Sequence, residues 1–268
     1  MSLLSEQMKA YESVEAGRRF LPLLPVVARI DGKSFSQFTR GLARPYDERL
    51  SNLMAETTEY LLTQTQANLG YTQSDEISLV WYSDSIKSQI FLDGRIQKMT
   101  SILSSFATAC FNARLSHHIP ELRDNLAFFD CRVWQVPNLE EAGKVFLWRE
   151  KDATTNSIEM AARAHYSHKE LFKKNGSEMQ EMLFQKGINW KDYPDFFKRG
   201  RYFQKRKVLK EFNAEEIARL PEQHEAKRNP QLMVERSEVR CLAIPPISKV
   251  NNIVEVVFNG ADPELMAN

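Results

Sequence analysis

Cysteine is scarce in this sequence. Cys110, Cys131 and Cys241 lie far apart and form no CxxC pair. So sparse and odd a set argues against a disulfide framework or a zinc site and fits a reducing compartment, so a cytoplasmic location is expected. An excess of one charge is also missing. The 36 Lys and Arg against 35 Asp and Glu leave a net charge of +1, so any nucleic-acid surface must be a local patch. No apolar stretch approaches the ~20 residues of a membrane span. The opening MSLLSEQMKAYES is acidic where a secretory leader is basic and then apolar, which predicts neither leader nor membrane partner. The motifs G-x-x-x-x-G-K-[ST], G-x-G-x-x-G and G-x-S-x-G are absent, which counts against P-loop, dinucleotide-binding and α/β-hydrolase chemistry. The five histidines offer only His117-His118 and His165…His168 as pairs, a weak basis for a metal site.

What is present is a regular alternation of elements. The 268 residues, 43% hydrophobic, allow one large domain or two modest ones. A helix is predicted over 2–18, with Ser5 a candidate N-cap, followed by a strand Val26–Ile30 closed by a turn at Asp31-Gly32. A helix from about Asp47 to Ala67 carries Leu50, Leu53, Met54, Leu61 and Leu62 on one face. Gly70 restarts the chain as a strand, with a hairpin turn at Ser74-Asp75 and period-two alternation through Trp81. A second long helix covers Gly94 to about His117, a strand runs from Ala127 to Val136, and Glu140 to about His168 returns to helix. This is the βαββαβ order of an α+β, ferredoxin-like or polymerase-palm sheet, with two helices on one face and the other face free for substrate. Residues 1–170 are read as the palm-like catalytic domain and 171–268 as an extension packed on it. That extension is predicted to hold short helices at Ser177–Gln185 and Ala214–Leu220 and a strand-like piece at Val250–Phe258.

Two strand ends carry the chemistry. Asp31 and Asp75, on adjacent strands, would meet at the rim of the sheet and there hold two Mg²⁺ ions against a nucleotide triphosphate. The Gly32 carbonyl is a further candidate ligand, and the amides of Lys33 to Ser36 could cradle phosphates. The competing reading makes Asp31-Gly32 and Ser74-Asp75 simple turn residues. Glu76 would face away from Asp75 in a regular strand and act through hydrogen bonds. Lys33, Arg95 and Lys98 are candidates for the triphosphate, although Arg95 and Lys98 also suit a solvated helix face. The run Lys198, Arg199, Arg201, Lys205, Arg206 and Lys207 is interleaved with Tyr202 and Phe203. It reads either as an RNA-binding segment, with cations for phosphates and rings for bases, or as a solvated charged loop.

At Arg29-Ile30-Asp31-Gly32-Lys33-Ser34-Phe35 and Gln73-Ser74-Asp75-Glu76 the sequence resembles the tRNA-His guanylyltransferase family. The likeness continues through Arg95…Lys98, Phe129-Asp130-Cys131-Arg132-Val133 and Trp148-Arg149…Asp152…Asn156 to Lys198-Arg199-Gly200. The resemblance implies a palm fold and 3′–5′ addition of nucleotides to the 5′ end of tRNA. It implies Asp31, Gly32 and Asp75 as metal ligands, and Asp31 to Ser36, with Ser74 and Asp75, as the nucleotide-binding turn. Arg95 and Lys98 become triphosphate contacts, Asp31, Asp75 and Glu76 the catalytic carboxylates, ATP, GTP and other NTPs the substrates, and a homotetramer the assembly. Where the eukaryotic enzymes have His-Ile-Asn after Trp-Arg, this chain has Thr154-Thr155-Asn156, and the family's lysine in the short helix is Met179. These departures resemble the bacterial and archaeal guanylyltransferase-like branch, which implies templated repair of truncated tRNA 5′ ends, with G addition to tRNA-His or a non-catalytic nucleotide- or RNA-binding domain as alternatives.

Overall fold

The computed structural model describes residues 2–229 and 231–266. Helix α1 (Leu3–Ala16) is capped by the Ser2 hydroxyl, which accepts from Ser5 N–H, one turn earlier than expected. There follow β1 (Val26–Gly32), the short α2 (Phe35–Phe38), α3 (Glu48–Thr65), β2 (Leu69–Gln73) and β3 (Glu76–Trp81). Next come α4 (Ile96–His118), β4 (Phe129–Gln135) and α5 (Leu139–Arg163). The C-terminal third holds α6 (His168–Leu171), α7 (Gly176–Gln185), α8 (Asp195–Arg199), β5 (Arg201–Glu211), α9 (Ala214–Arg219), α10 (Glu225–Arg228) and β6 (Met233–Leu242). Asp47 caps α3 by accepting from Arg49 N–H.

The strands form one antiparallel sheet in the order β4-β1-β3-β2-β5-β6. Its first four strands have the order that a βαββαβ chain adopts when both crossover helices lie on one face. Alternation along each strand sorts the side chains. Val26, Ala28 and Ile30 of β1 join Ile77, Leu79 and Trp81 of β3 in the core under α3 and α4. Gly70 permits the close approach of α3, because a Cβ there would sit 3.0 Å from Leu62 and Thr58.

The opposite face is not free, contrary to expectation. Val27, Val80, Tyr71 and Tyr202 lie under α5, through Ala142, Val145 and Phe146, and under Ile247, Val250, Val256 and Val257 from the C-terminal segment. Buried Glu150 of α5 ties that segment down, accepting from Ile247 N–H at 2.9 Å and from the Tyr202 hydroxyl at 2.9 Å. On this face β1 runs from apolar Val27 to Arg29 to Asp31, so the apolar packing under α5 gives way to charged residues toward the end of the strand.

Two further readings change. Val250–Phe258 is not a strand: Val250 makes one isolated bridge to Leu265, and Glu255–Asn259 winds as a π-helical turn. Ile253, Val256 and Val257 stand at helical i, i+3, i+4 spacing, and Ile253 packs against Gly143 of α5. The basic run is not a loop, since Arg201–Lys207 lies in β5 and pairs with both β2 and β6. Tyr202 and Phe203 therefore enter the cores on opposite faces of the sheet, 3% and 1% exposed, and neither ring is available to stack on a base.

Candidate active site

The site forms at one rim of the sheet. Strand β1 ends there, and β2 and β3 are joined there by the two-residue turn Ser74-Asp75, with Ser74 in the left-handed region at φ 53°. The antiparallel pairing of β1 with β3 sets Asp31 opposite Glu76, and Gly32 N–H donates to the Asp75 carbonyl at 3.1 Å. Asp31 and Asp75 line a single cleft together with Gln73, Ser74, Glu76 and, from α5, Asn156, Glu159, Met160 and Arg163. The spatial relation on which the two-carboxylate reading depends is therefore present.

Strand register makes this a row of like charges. Asp130 of β4, Asp31 of β1 and Glu76 of β3 stand side by side across the sheet, an arrangement that costs free energy unless countered. Glu76 is countered: Arg149 of α5 donates to it through a very short contact, and Arg29 Nε lies 3.6 Å away. Arg149 is itself 5% exposed and also holds Asp152 at 2.6 Å. Burial raises the Glu76 carboxyl above its ordinary range, and Arg149 and Arg29 oppose that rise. Asp31 is countered only at longer range, with Arg132 4.0 Å away. Burial first, and then Asp130, raise its carboxyl, while the charges of Arg29, Arg132 and Arg149 pull it down.

Asp75 is pushed up to about 6, chiefly by burial and next by the charge of Asp31. Its side chain accepts from the Ser74 hydroxyl at 3.0 Å. A pair of carboxylates that repel each other in a shared cleft is a site short of positive charge. Among the described residues no cluster of three or more His, Cys, Asp and Glu is arranged as a ready-made metal cage. The donors present are the two carboxylates, with the Gly32 backbone bonded to Asp75, which fits Mg²⁺, an ion usually held by one or two carboxylates with substrate phosphates and water.

A larger cleft of about 660 Å³ adjoins this one and shares Gln73, Ser74, Asp75, Met160 and Arg163 with it. Gly32, Ser34, Phe35 and Ser36 line it, as do Arg44, Tyr46 and Phe196. The turn after β1 is tightly built. Ser34 is left-handed at φ 58°, and the Phe35 ring folds back so closely that a Cβ on Gly32 would lie 2.3 Å from it. Phe35 is 4% exposed and packs on Phe38, Phe111 and Phe129, so it anchors the turn. Lys33 N–H is already committed to the Phe128 carbonyl at 2.8 Å and is not among the amides open to a phosphate.

Arg95 and Lys98 are not brought to this site within the chain. Strand β3 starts at the rim with Glu76 and ends at the far side with Trp81, and α4 begins there, beside Arg18 to Phe20. The helix reaches the neighbourhood of Gly32 only at Thr108, which accepts from Phe129 N–H. That lies about 20 Å farther along its axis. Helix-face spacing had joined the two cations to each other but could not say at which end of the sheet they stand.

The basic run is largely engaged. Lys198 and Arg199 pair with Asp195, at 3.3 and 2.7 Å, and Arg201 donates to Asn52 while stacking on Phe196. Lys205 donates to Gln66, Arg206 to the Ala261 carbonyl, and Lys207 to Glu235 at 2.8 Å.

The residues that sequence reasoning missed are Glu159, Met160 and Arg163. With Asn156 they stand at i, i+3, i+4 and i+7 on α5, a spacing that marks one helix face and was visible in the sequence.

A family model described as tRNAHis guanylyltransferase matches residues 5–137. The tRNA(His) guanylyltransferase of Saccharomyces cerevisiae is 30% identical over 198 residues, covering 67% of this chain and 82% of the yeast protein. A bacterial tRNA(His) guanylyltransferase (Thg1)-like protein solved in complex with ATP superposes with a TM-score of 0.78 at 33% identity, over 95% of this chain and 99% of that one. The GTP complex of such a bacterial protein gives a TM-score of 0.71 at 31% identity, over 94% and 99%. On this rim of carboxylates, this strand order and these matches, the chain belongs to the tRNA(His) guanylyltransferase family of nucleotidyltransferases.

Proposed function

We propose that this protein extends the 5′ end of tRNA in the 3′–5′ direction, copying the opposing 3′ strand and so repairing truncated ends. The observation that carries this reading is the convergence of Asp31 and Asp75 on one cleft, with Asp75 raised to about 6, beside a second cleft large enough for a nucleoside triphosphate. Relatives solved with ATP and with GTP support nucleotides as its substrates.

The reaction balances in two steps. An oxygen of the tRNA 5′-monophosphate attacks the α-phosphorus of ATP and releases pyrophosphate, leaving an adenylylated end. The 3′-hydroxyl of the incoming nucleotide then attacks the 5′-phosphorus and releases AMP. Asp31, Asp75 and the Gly32 carbonyl would hold Mg²⁺, which when bound neutralises phosphate charge and polarises the reacting oxygens. Arg149 and Arg29 hold Glu76 in place and oppose the rise that burial imposes on its carboxyl. Ser34 to Ser36 and Arg163, which line the same cleft, would set where a triphosphate can lie. Positioning and charge neutralisation account for most of the catalysis in such transfers.

A second reading, addition of one G to tRNA-His, is favoured by the names of the curated relatives. Thr154-Thr155 in place of His-Ile weighs against it. A nucleotide- or RNA-binding domain without catalysis belongs to another class, and it would have no need of the paired aspartates.

One assay separates the three. Purified protein with Mg²⁺, ATP and four NTPs is given tRNAs lacking their first 5′ nucleotide. Extension that follows the opposing base for several tRNAs is expected. G addition to tRNA-His alone would establish the second reading, and nucleotide binding without extension the third.

A further inference from the structure

Behind the turn that follows β1, another cleft of about 620 Å³ opens between residues 33–40 and the segment leading into β4. Ser34 lines both this cleft and the nucleotide cleft, so only the thickness of the turn separates them. The floor is apolar yet exposed: Phe128 is 55% and Leu126 67% exposed. Phe128 is not a core ring left hanging. Its neighbours Ala127 and Phe129 are buried, and its carbonyl is pinned by Lys33 N–H, so a rigid backbone presents the ring to solvent. Lys33 and Arg40 flank it, both exposed and, among the described residues, without an ion-pair partner. The single acid in the lining, Asp124, lies beside Arg123 at 3.5 Å.

We propose that this cleft receives the unpaired 3′ nucleotides of the tRNA acceptor end, with one base stacked on Phe128 and neighbouring phosphates on Lys33 and Arg40. The proposal rests on the reading that the 5′ end reaches Asp31 and Asp75. If it does, the opposing strand must leave the duplex end close by. The surface directly across the turn pairs an open aromatic face with unneutralised cations, which is what single-stranded RNA binds. Gln37 and Asn125 in the same lining add donors and acceptors for base edges. The β5 run lacks this combination, because its rings are buried and its cations engaged.

The test compares binding of intact tRNA with tRNA trimmed of its 3′ single-stranded nucleotides. Wild-type, Phe128→Ala, Phe128→Trp and Arg40→Ala proteins are used, with ATP binding followed separately by calorimetry. Wild type is expected to bind the trimmed tRNA about tenfold less tightly, in line with the loss of one stacked base. Phe128→Ala should weaken the intact tRNA by the same factor and leave the trimmed one unchanged, with Phe128→Trp restoring wild-type affinity. Arg40→Ala should lower the slope of log affinity against log salt by about one for intact tRNA only. Equal binding of both RNAs by wild type, or a Phe128→Ala protein that weakens both alike or neither, would overturn the proposal. Because Phe128 and Arg40 lie outside the nucleotide cleft, all four proteins should bind ATP equally. A wild-type protein that fails to bind ATP would instead refute the nucleotide-site reading.

Discussion

The rim of the sheet and the basic strand β5 are both rich in charge, yet they handle it in opposite ways. Along β5 and its partner strand the cations are engaged, Lys207 by Glu235 and Lys210 by Glu238, and Arg201, Lys205 and Arg206 by neutral oxygens of Asn52, Gln66 and Ala261. Its two rings are spent on the cores. At the rim, Glu76 is paired directly with Arg149 and Arg29, but Asp31 and Asp75 share one cleft without so close a partner. Burial raises both carboxyls, although more distant arginines oppose the rise at Asp31. Folding free energy alone would remove such a pair, because burying like charges costs more than burying apolar groups of the same size. Uncompensated charge is thus a better pointer to the site than charge density, and four experiments can break or sharpen that contrast.

The largest effect is expected at the uncompensated pair. Asp31→Ala and Asp75→Ala should each reduce adenylylation and extension by about a thousandfold or more, since each removes a carboxylate from the proposed metal donor set. Far-ultraviolet dichroism should stay close to wild type and the melting temperature should not fall, because removing one of two repelling charges relieves strain. Extension at more than a tenth of the wild-type rate in either variant would end the two-carboxylate reading.

At the compensated end of the same row the effect should fall on stability. Arg149→Ala leaves Glu76 buried without its main partner, which should cost about 3–5 kcal/mol. Urea unfolding measures it. Arg149→Met combined with Glu76→Gln should recover most of that loss, since charge and counter-charge leave together. A double variant no more stable than Arg149→Ala would mean that Arg149 acts through packing on Trp148, 4.7 Å from its guanidinium, and not through the ion pair.

How much of this contrast could be read from the sequence differs by element. The βαββαβ order and the meeting of positions 31 and 75 were legible because local patterns fix them. Apolar alternation marks β1 and β3, and the tight turn at Ser74-Asp75 lets the chain return along the same rim. Glu76 was read as facing away from Asp75, but Asp75 sits in the turn, so strand alternation does not apply and both line one cleft. The placement of Arg95 and Lys98 was not legible, since it depends on the direction in which α4 returns over the sheet. Strand β5 was hidden because its alternation of basic and aromatic residues also describes an RNA-binding loop. Only pairing with β2 and β6 decides between the two.

A gentler perturbation is pH. The carboxyl of Asp75 lies at about 6 in the folded protein against an ordinary 3.8. A raised acid favours the folded state while protonated, so in magnesium-free buffer its contribution is fully present below about pH 4 and is lost as pH rises through about 6. Asp75→Asn, which cannot ionise, should abolish that part of the decline, visible as a flatter profile of melting temperature between pH 4 and 7. The proposed magnesium site takes the ionised form, so the ion's stabilising effect should run the other way and weaken as pH falls below about 6. Identical profiles for wild type and Asp75→Asn would show that Asp75 is not the desolvated group.

The smallest effect is expected where charge is already balanced. Lys207 is 76% exposed and pairs with Glu235 across the β5–β6 ribbon. An exposed pair of this kind is worth about 0–1 kcal/mol. Lys207→Ala should therefore change the unfolding free energy by less than about 1 kcal/mol, and tRNA affinity at physiological salt by less than about threefold. Its effect on the salt slope should also be smaller than that of Arg40→Ala, because phosphate must compete with Glu235 for one cation but meets Arg40 unopposed. A loss of tRNA affinity larger than that of Arg40→Ala would reverse the contrast. It would mean that Lys207 leaves Glu235 for the RNA backbone, and that ion pairing in the free protein does not exclude a residue from the tRNA surface.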